Sequence, residues 1–152
     1  LAASLKIGAR LGGASVEDAD RLYDFGMHIG VAFQLKDDLL DVYGNAKVFG
    51  KNIGGDILCN KKTYMLIKAL EHANADQHNQ LNSWINAETF QPAEKIAAVT
   101  ELYDRIGVKA VCENKILEYS NRAMESLAAV SIAEEKKEEL KKIIENLIHR
   151  EV

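Results

Sequence analysis

The chain has 152 residues, 47% of them hydrophobic and 28% charged, with a formal net charge of −4. This is one domain's worth of chain with ample apolar material for a core, and an acidic balance without a dense Lys/Arg cluster excludes a nucleic-acid surface. No apolar run of about 18 residues is present, so no membrane span is expected, and no basic-plus-apolar signal segment stands at the start.

Residues 1–11 read as a helix stopped by Gly12 and Gly13. The pattern is already helical at Leu1, without cap or lead-in, which suggests that sequence upstream is missing. Ser15-Val16-Glu17-Asp18 has the form of a capping box, with Asp in place of the usual Glu, and opens a helix to about Tyr43. Leu22, Phe25, Ile29, Ala32, Phe33 and Leu40 give that helix apolar contacts on several sides, as expected inside a bundle. Residues 44–60 read as a glycine-rich loop containing Gly44, Gly50, Gly54 and Gly55. Helices are predicted from Lys61 to about Ala73 and, more weakly, from Asp76 to Asn86, the second burying Leu81, Trp84 and Ile85. Pro92, the only proline, suits the first turn of a helix that runs to Ile106 and is broken by Gly107. Val108 to Ala129 is another. Ser131-Ile132-Ala133-Glu134 reads as a full capping box that opens the last helix, to about Arg150, with the charge run Glu134 to Lys142 as its wet face.

No segment alternates with period two, so no strands are predicted. The fold class is all-α, six or seven helices in an antiparallel bundle. Cys59 and Cys112 stand in separate regions and are expected as reduced thiols of an intracellular, cytoplasmic protein. His28, His72, His78 and His149 show no metal-ligand spacing and read as structural or surface residues.

The chemistry concentrates in Phe33-Gln34-Leu35-Lys36-Asp37-Asp38-Leu39-Leu40-Asp41. With Gln34 at zero on a helix, Asp37, Asp38 and Asp41 fall at roughly −60°, +40° and −20°, so one polar face carries all four side chains. Lys36 lies nearly opposite and cannot neutralise them by a short contact. Like charges at i, i+4, near a helix C-terminus where the macrodipole opposes anions, are placed against fold stability. Such oxygens suit a hard divalent cation, Mg²⁺ above all, which keeps open positions for phosphate. A solvated acidic turn is the other reading of the cluster alone.

The segment Gly50-Lys51-Asn52-Ile53-Gly54-Gly55-Asp56, then Asn60-Lys61-Lys62-Thr63, shifts the balance. Glycines let a backbone approach a ligand closely. Lys51 and Lys61 suit phosphate as point charges, and Lys61 is expected at the start of the next helix, where free N–H groups favour anions. Asp56 adds a fourth carboxylate. Together these residues are what a metal-diphosphate site needs. A P-loop is excluded by the residues at 60 and 62 and the missing strand, and an EF-hand by the aspartate spacing.

These residues resemble the trans-type polyprenyl diphosphate synthases, the farnesyl and geranylgeranyl diphosphate synthases and their relatives. The match is Phe33-Gln34…Asp37-Asp38…Asp41, then Gly50-Lys51…Gly54…Asp56…Lys61…Thr63-Tyr64, with weaker similarity over nearly all of the chain. The resemblance implies an isoprenoid-synthase bundle and Mg²⁺-dependent head-to-tail joining of an allylic diphosphate to isopentenyl diphosphate. It makes Asp37 the principal metal ligand of the second aspartate-rich motif, with Asp38 and Asp41 supporting metal and water and Asp56 behind them. Lys51 and Lys61 would grip the allylic diphosphate beside Gln34, Phe33 would lie against the isopentenyl substrate, and Arg150 would reach a diphosphate.

The departures are equally specific. The family's first aspartate-rich motif, its upstream Arg pair and a Lys-Thr pair are absent, so residues 1–152 resemble the C-terminal part of one such all-α domain, lacking its N-terminal helices. Asn60 stands where Gly is common, and Lys62 where a small residue is usual. Three readings follow: a prenyltransferase half that is inactive alone, a non-catalytic partner subunit, or a fragment of a class I terpene cyclase. Intact aspartates and lysines argue against the second, because a structural subunit has no use for buried unpaired charge. An incomplete bundle is expected to expose apolar faces and to form a homodimer or larger assembly.

Overall fold

The structure, a computed structural model, describes residues 1–44 and 53–149. Among the described residues every regular element is helical: α1 (Ala2–Leu11), α2 (Val16–Tyr43), α3 (Gly55–Leu58), α4 (Tyr64–His72), α5 (Ala75–Ile85), α6 (Pro92–Ile106), α7 (Val108–Ala128), a 3₁₀ turn (Glu134–Lys136) and α8 (Glu138–His149). The all-α expectation holds. The added element is α3, inside the segment read from sequence as loop.

Most boundaries follow local signals. The Ser15 hydroxyl accepts from the Asp18 N–H at 3.0 Å and starts α2. Gly44 ends it, its N–H on the Leu40 carbonyl at 2.8 Å. Asn74 and Gln77 form a reciprocal capping box on α5 that the sequence reading did not name. Pro92 is in the first turn of α6, and Gly107, at φ 82°, separates α6 from α7 in the left-handed conformation that glycine adopts without Cβ strain.

The chain divides into two compact units, 1–36 with 115–150 and 37–114. In the first, α1 lies so close to α2 that a Cβ on Gly26 would stand 2.6 Å from the Ala2 Cα. Phe25, Ile29, Ala32, Leu127, Ile144 and Leu147 are buried there. Two expectations fail in this unit. Ser131 does not cap the last helix, which begins at Glu138 after the 3₁₀ turn. Instead the Ser131 N–H donates to Asp18 Oδ1 at 2.9 Å. The charge run is not uniformly wet: Lys137 is 2% exposed, its ammonium on the Ala128 carbonyl and Glu134.

In the second unit α6 packs against α3, α4 and α5. Met65, Leu66, Ala69, Leu81, Val99 and Leu102 are among its buried apolar residues. Cys59 is exposed and Cys112 buried, and neither is in a disulfide. No helix among the described residues is long and apolar enough to cross a membrane.

Candidate functional site

The last turns of α2 carry the aspartates with different exposures. Asp38 is buried, while Asp37 and Asp41 are half-buried. Leu35, Leu39 and Val42 of the same turns are buried. Lys36 turns away from them as predicted, donating to the Ile148 carbonyl at 3.2 Å.

After the segment outside the described residues, the chain returns to α2 through backbone contacts. The Gly54 N–H donates to the Asp41 carbonyl at 2.6 Å, and the Asp56 N–H to Asp41 Oδ2 at 2.9 Å. Gly54 sits at φ 86°, and a Cβ there would meet the Ile96 side chain at 2.7 Å. Glycine is therefore required twice over, by conformation and by space. Burial pushes the Asp41 carboxyl above its ordinary range, against the pull of the Asp56 N–H.

The Lys61 side chain joins this arrangement. Lys61 Nζ lies 2.9 Å from Asp38 Oδ1 and 2.8 Å from Asp56 Oδ2. Those bonds, Asp56 first, hold its pKa well above the ordinary lysine value. Two aspartates of the predicted set thus share one cation position, and the charge read from sequence as unpaired is paired here. Lys61 is not at a helix start, because α4 begins at Tyr64 and Thr63 caps it, its hydroxyl accepting from the Leu66 N–H at 3.2 Å.

The turn that presents Lys61 is fixed from behind. Asn60 has φ 52°, its Nδ2 donates to the Ile85 carbonyl at 3.0 Å, and its Oδ1 accepts from Lys95 Nζ at 2.7 Å. These residues line a cavity of about 20 Å³ with Lys61, Asp56, Tyr103 and Leu81. Sequence reasoning did not find Lys95, whose helix pattern looks ordinary; the available signal was an Asn at a turn position where glycine is common.

Asp38, Asp41, Asp56 and Lys61 are therefore brought together. Phe33 and Gln34 stand on α2 in the other unit, both exposed, and Phe33 lines an open apolar groove of about 580 Å³ with Leu1, Ile29, Gly30, Ile143, Asn146 and Leu147. Lys51 and Arg150 lie outside the described residues. Among the described residues no three His, Cys, Asp or Glu side chains converge as a self-contained metal cage. Two carboxylates on one cation position fit the alternative: Mg²⁺ usually takes one or two protein carboxylates and fills its remaining positions with water and substrate phosphate.

Comparison with known proteins gives the family. Residues 1–103 match the family described as polyprenyl synthetase. Over 151 residues the chain is 32% identical to the short chain isoprenyl diphosphate synthase of Methanothermobacter thermautotrophicus, an alignment covering 99% of this chain and 45% of that one. A crystal structure of a geranylgeranyl pyrophosphate synthase superposes with TM-score 0.90 at 32% identity, over 98% of this chain and 46% of that one. The geranylgeranyl pyrophosphate synthase of Corynebacterium glutamicum, solved with isoprenyl diphosphate and magnesium, gives 0.83 at 31% identity over 94% and 40%. The chain spans less than half the length of these relatives.

Proposed function

The chain belongs to the polyprenyl synthetase family, and from that premise we propose that it supplies the second aspartate-rich wall of a prenyl chain-elongating site. The whole site would join an allylic diphosphate to isopentenyl diphosphate, with residues 1–152 as the C-terminal part of a single all-α domain. The observation that carries this reading is the Lys61 ammonium bridging Asp38 and Asp56. Carboxylates that already hold one cation between them are arranged for another, and the lysine that holds them is by chemistry a hydrogen-bond donor to phosphate oxygens.

Asp37, Asp38 and Asp41, with Asp56 behind them, would hold Mg²⁺ together with diphosphate oxygens. When bound, Mg²⁺ supplies positive charge that stabilises the departing diphosphate. Lys61 donates to the diphosphate oxygens, and Lys51 and Arg150 would add further cations. Gln34 lies one turn before Asp37 and Asp38 on the same helix, and Phe33 offers an apolar surface to the isopentenyl carbons. In the reaction the allylic C–O bond breaks with its electron pair on oxygen, the isopentenyl double bond supplies the new C–C bond, and a proton leaves the adjacent carbon. Because the family's other acidic motif is not among these residues, the chain alone is expected to be inactive, and it would act as a homodimer or larger assembly.

A thermal melt tests the reading. Mg²⁺ with inorganic diphosphate should raise the melting temperature of this chain and not that of Asp37→Ala, since a ligand bound only to the folded state adds RT ln(1 + [L]/Kd). A second reading, a non-catalytic partner subunit, gains support from the same ion pairs, because a charge-paired cluster can be retained without a ligand. No Mg²⁺-diphosphate response in the unmutated chain would favour it.

A further inference from the structure

We propose that Lys95 is a positioning residue for Lys61, acting through the side chain of Asn60. The proposal rests on Lys61 being a diphosphate ligand, as argued above. Asn60 is, among the described residues, the non-glycine residue with positive φ. Glycine would take φ 52° without Cβ strain, so what asparagine adds at this turn is its carboxamide. That carboxamide is held at both ends by distant elements. Its nitrogen donates to the carbonyl of Ile85, the last residue of α5, and its oxygen accepts from Lys95 Nζ on α6.

Lys95 is costly where it stands. It is 1% exposed, its hydrogen-bond acceptor is a neutral amide, and its ammonium lies 4.2 Å from the centroid of the Phe90 ring. Burial pulls its pKa below the ordinary lysine value. A buried ammonium facing an amide and a ring is less favourable for folding than an apolar side chain of the same length. Filling space therefore does not account for a lysine here, whereas fixing Asn60 does. The next residue along the chain is Lys61. Its N–H donates to the Asp56 carbonyl at 2.9 Å and its ammonium spans Asp38 and Asp56. A carboxamide locked on both sides leaves the backbone at 60 one setting, and that setting aims the Lys61 stem.

The test compares the chain with Lys95→Met, Asn60→Gly and the double variant. The first readout needs no ligand: the ordering of the Lys61 ammonium, measured from its ¹H–¹⁵N signal by NMR relaxation. In Lys95→Met the fold should persist with an equal or higher melting temperature, while the Lys61 ammonium loosens to the level of an exposed lysine. Asn60→Gly should loosen it equally, and the double variant no further. The second readout is affinity for Mg²⁺ with inorganic diphosphate, expected to weaken about tenfold in each variant, the equivalent of one hydrogen bond to a charged group. A Lys61 ammonium as ordered in both single variants as in the parent overturns the proposal. Loosening without any diphosphate affinity in the parent upholds the positioning role and removes the diphosphate reading instead. Should Lys95→Met not fold, Asn60→Gly decides alone, because it deletes the link without altering a buried residue.

Discussion

The carboxylate of Asp18, in the first turn of α2, accepts a hydrogen bond from the backbone N–H of Ser131 at 2.9 Å, across 113 residues of sequence. That N–H first, and the Arg21 guanidinium beside it, hold the Asp18 carboxyl below its ordinary value of 3.8. A folded-state pKa below the unfolded one means that the carboxylate stabilises the fold above the unfolded value, and that this stabilisation fades as pH falls toward the folded one. Asp18→Ala should therefore lower the melting temperature by a few degrees at pH 7. The gap between parent and variant should narrow below about pH 4. Paired melts from pH 2.5 to 7 check both (pH values chosen around the carboxylate range). A gap independent of pH would show that Asp18 contributes shape rather than charge.

Glu134 gives a second acid-sensitive contact of the same sign. Lys137 and Lys141 donate to its two oxygens at 2.8 and 2.9 Å and pull its pKa down to about 2. Its contribution is complete above the ordinary glutamate value of 4.5 and is lost as pH falls from there toward 2. The energetic weight lies on the partner, since Lys137 is buried. Glu134→Gln should cost little at neutral pH because the amide oxygen still accepts from Lys137. Glu134→Ala leaves that buried ammonium with the Ala128 carbonyl and should cost more. Urea unfolding of the two variants separates the cases.

These two contacts mark where sequence stops being legible. The helices of α1, α2, α6 and α7 could be read because their stops are local: Gly12, Ser15, Gly44, Pro92 and Gly107 act within a turn of where they stand. That Asp38 and Asp41 share a side of α2 follows from local geometry too, since residues three apart lie on one helix face. Ser131 misled because its partner is Asp18 rather than Glu134, and a capping box cannot announce that a distant carboxylate has claimed its N–H. The pairing of Lys61 with Asp38 and Asp56 likewise depends on a backbone return, Gly54 and Asp56 onto Asp41, that no spacing rule contains. Lys95 was invisible for the opposite reason: a lysine in an amphipathic helix ordinarily faces water.

The return itself can be tested at Gly54. Any side chain there must adopt φ 86° and displace Ile96. Gly54→Ala should destabilise the chain by about 2 kcal/mol, the sum of a left-handed backbone penalty and local overpacking. Adding Ile96→Ala should recover the packing part only. If Asp41 and Asp56 need this approach to face one another, Gly54→Ala also loses the Mg²⁺-diphosphate response at temperatures where it remains folded. Retention of the response would separate the turn from the site.

Lys61→Met removes the ammonium between Asp38 and Asp56 while keeping the stem. Asp38 is 8% exposed at its side chain and Asp56 20%, so both carboxylates feel the loss, whereas Lys61 itself is 45% exposed and its bonds are partly screened by water. The expected cost is about 1 kcal/mol, toward the lower end for a charged hydrogen-bonded group. The distinctive result is in the response to ligands. If the carboxylates that hold the ammonium are those that take Mg²⁺, then Mg²⁺ alone should raise the melting temperature of Lys61→Met more than that of the parent, because the Lys61 ammonium no longer competes. Inorganic diphosphate should then add less than it does in the parent, having lost its lysine donor. Melts of both chains with buffer, Mg²⁺, and Mg²⁺ plus diphosphate read the two effects separately. Equal stabilisation of both chains by Mg²⁺ would mean that ammonium and metal occupy different places, and Asp38 and Asp56 would then be a structural pair rather than ligands.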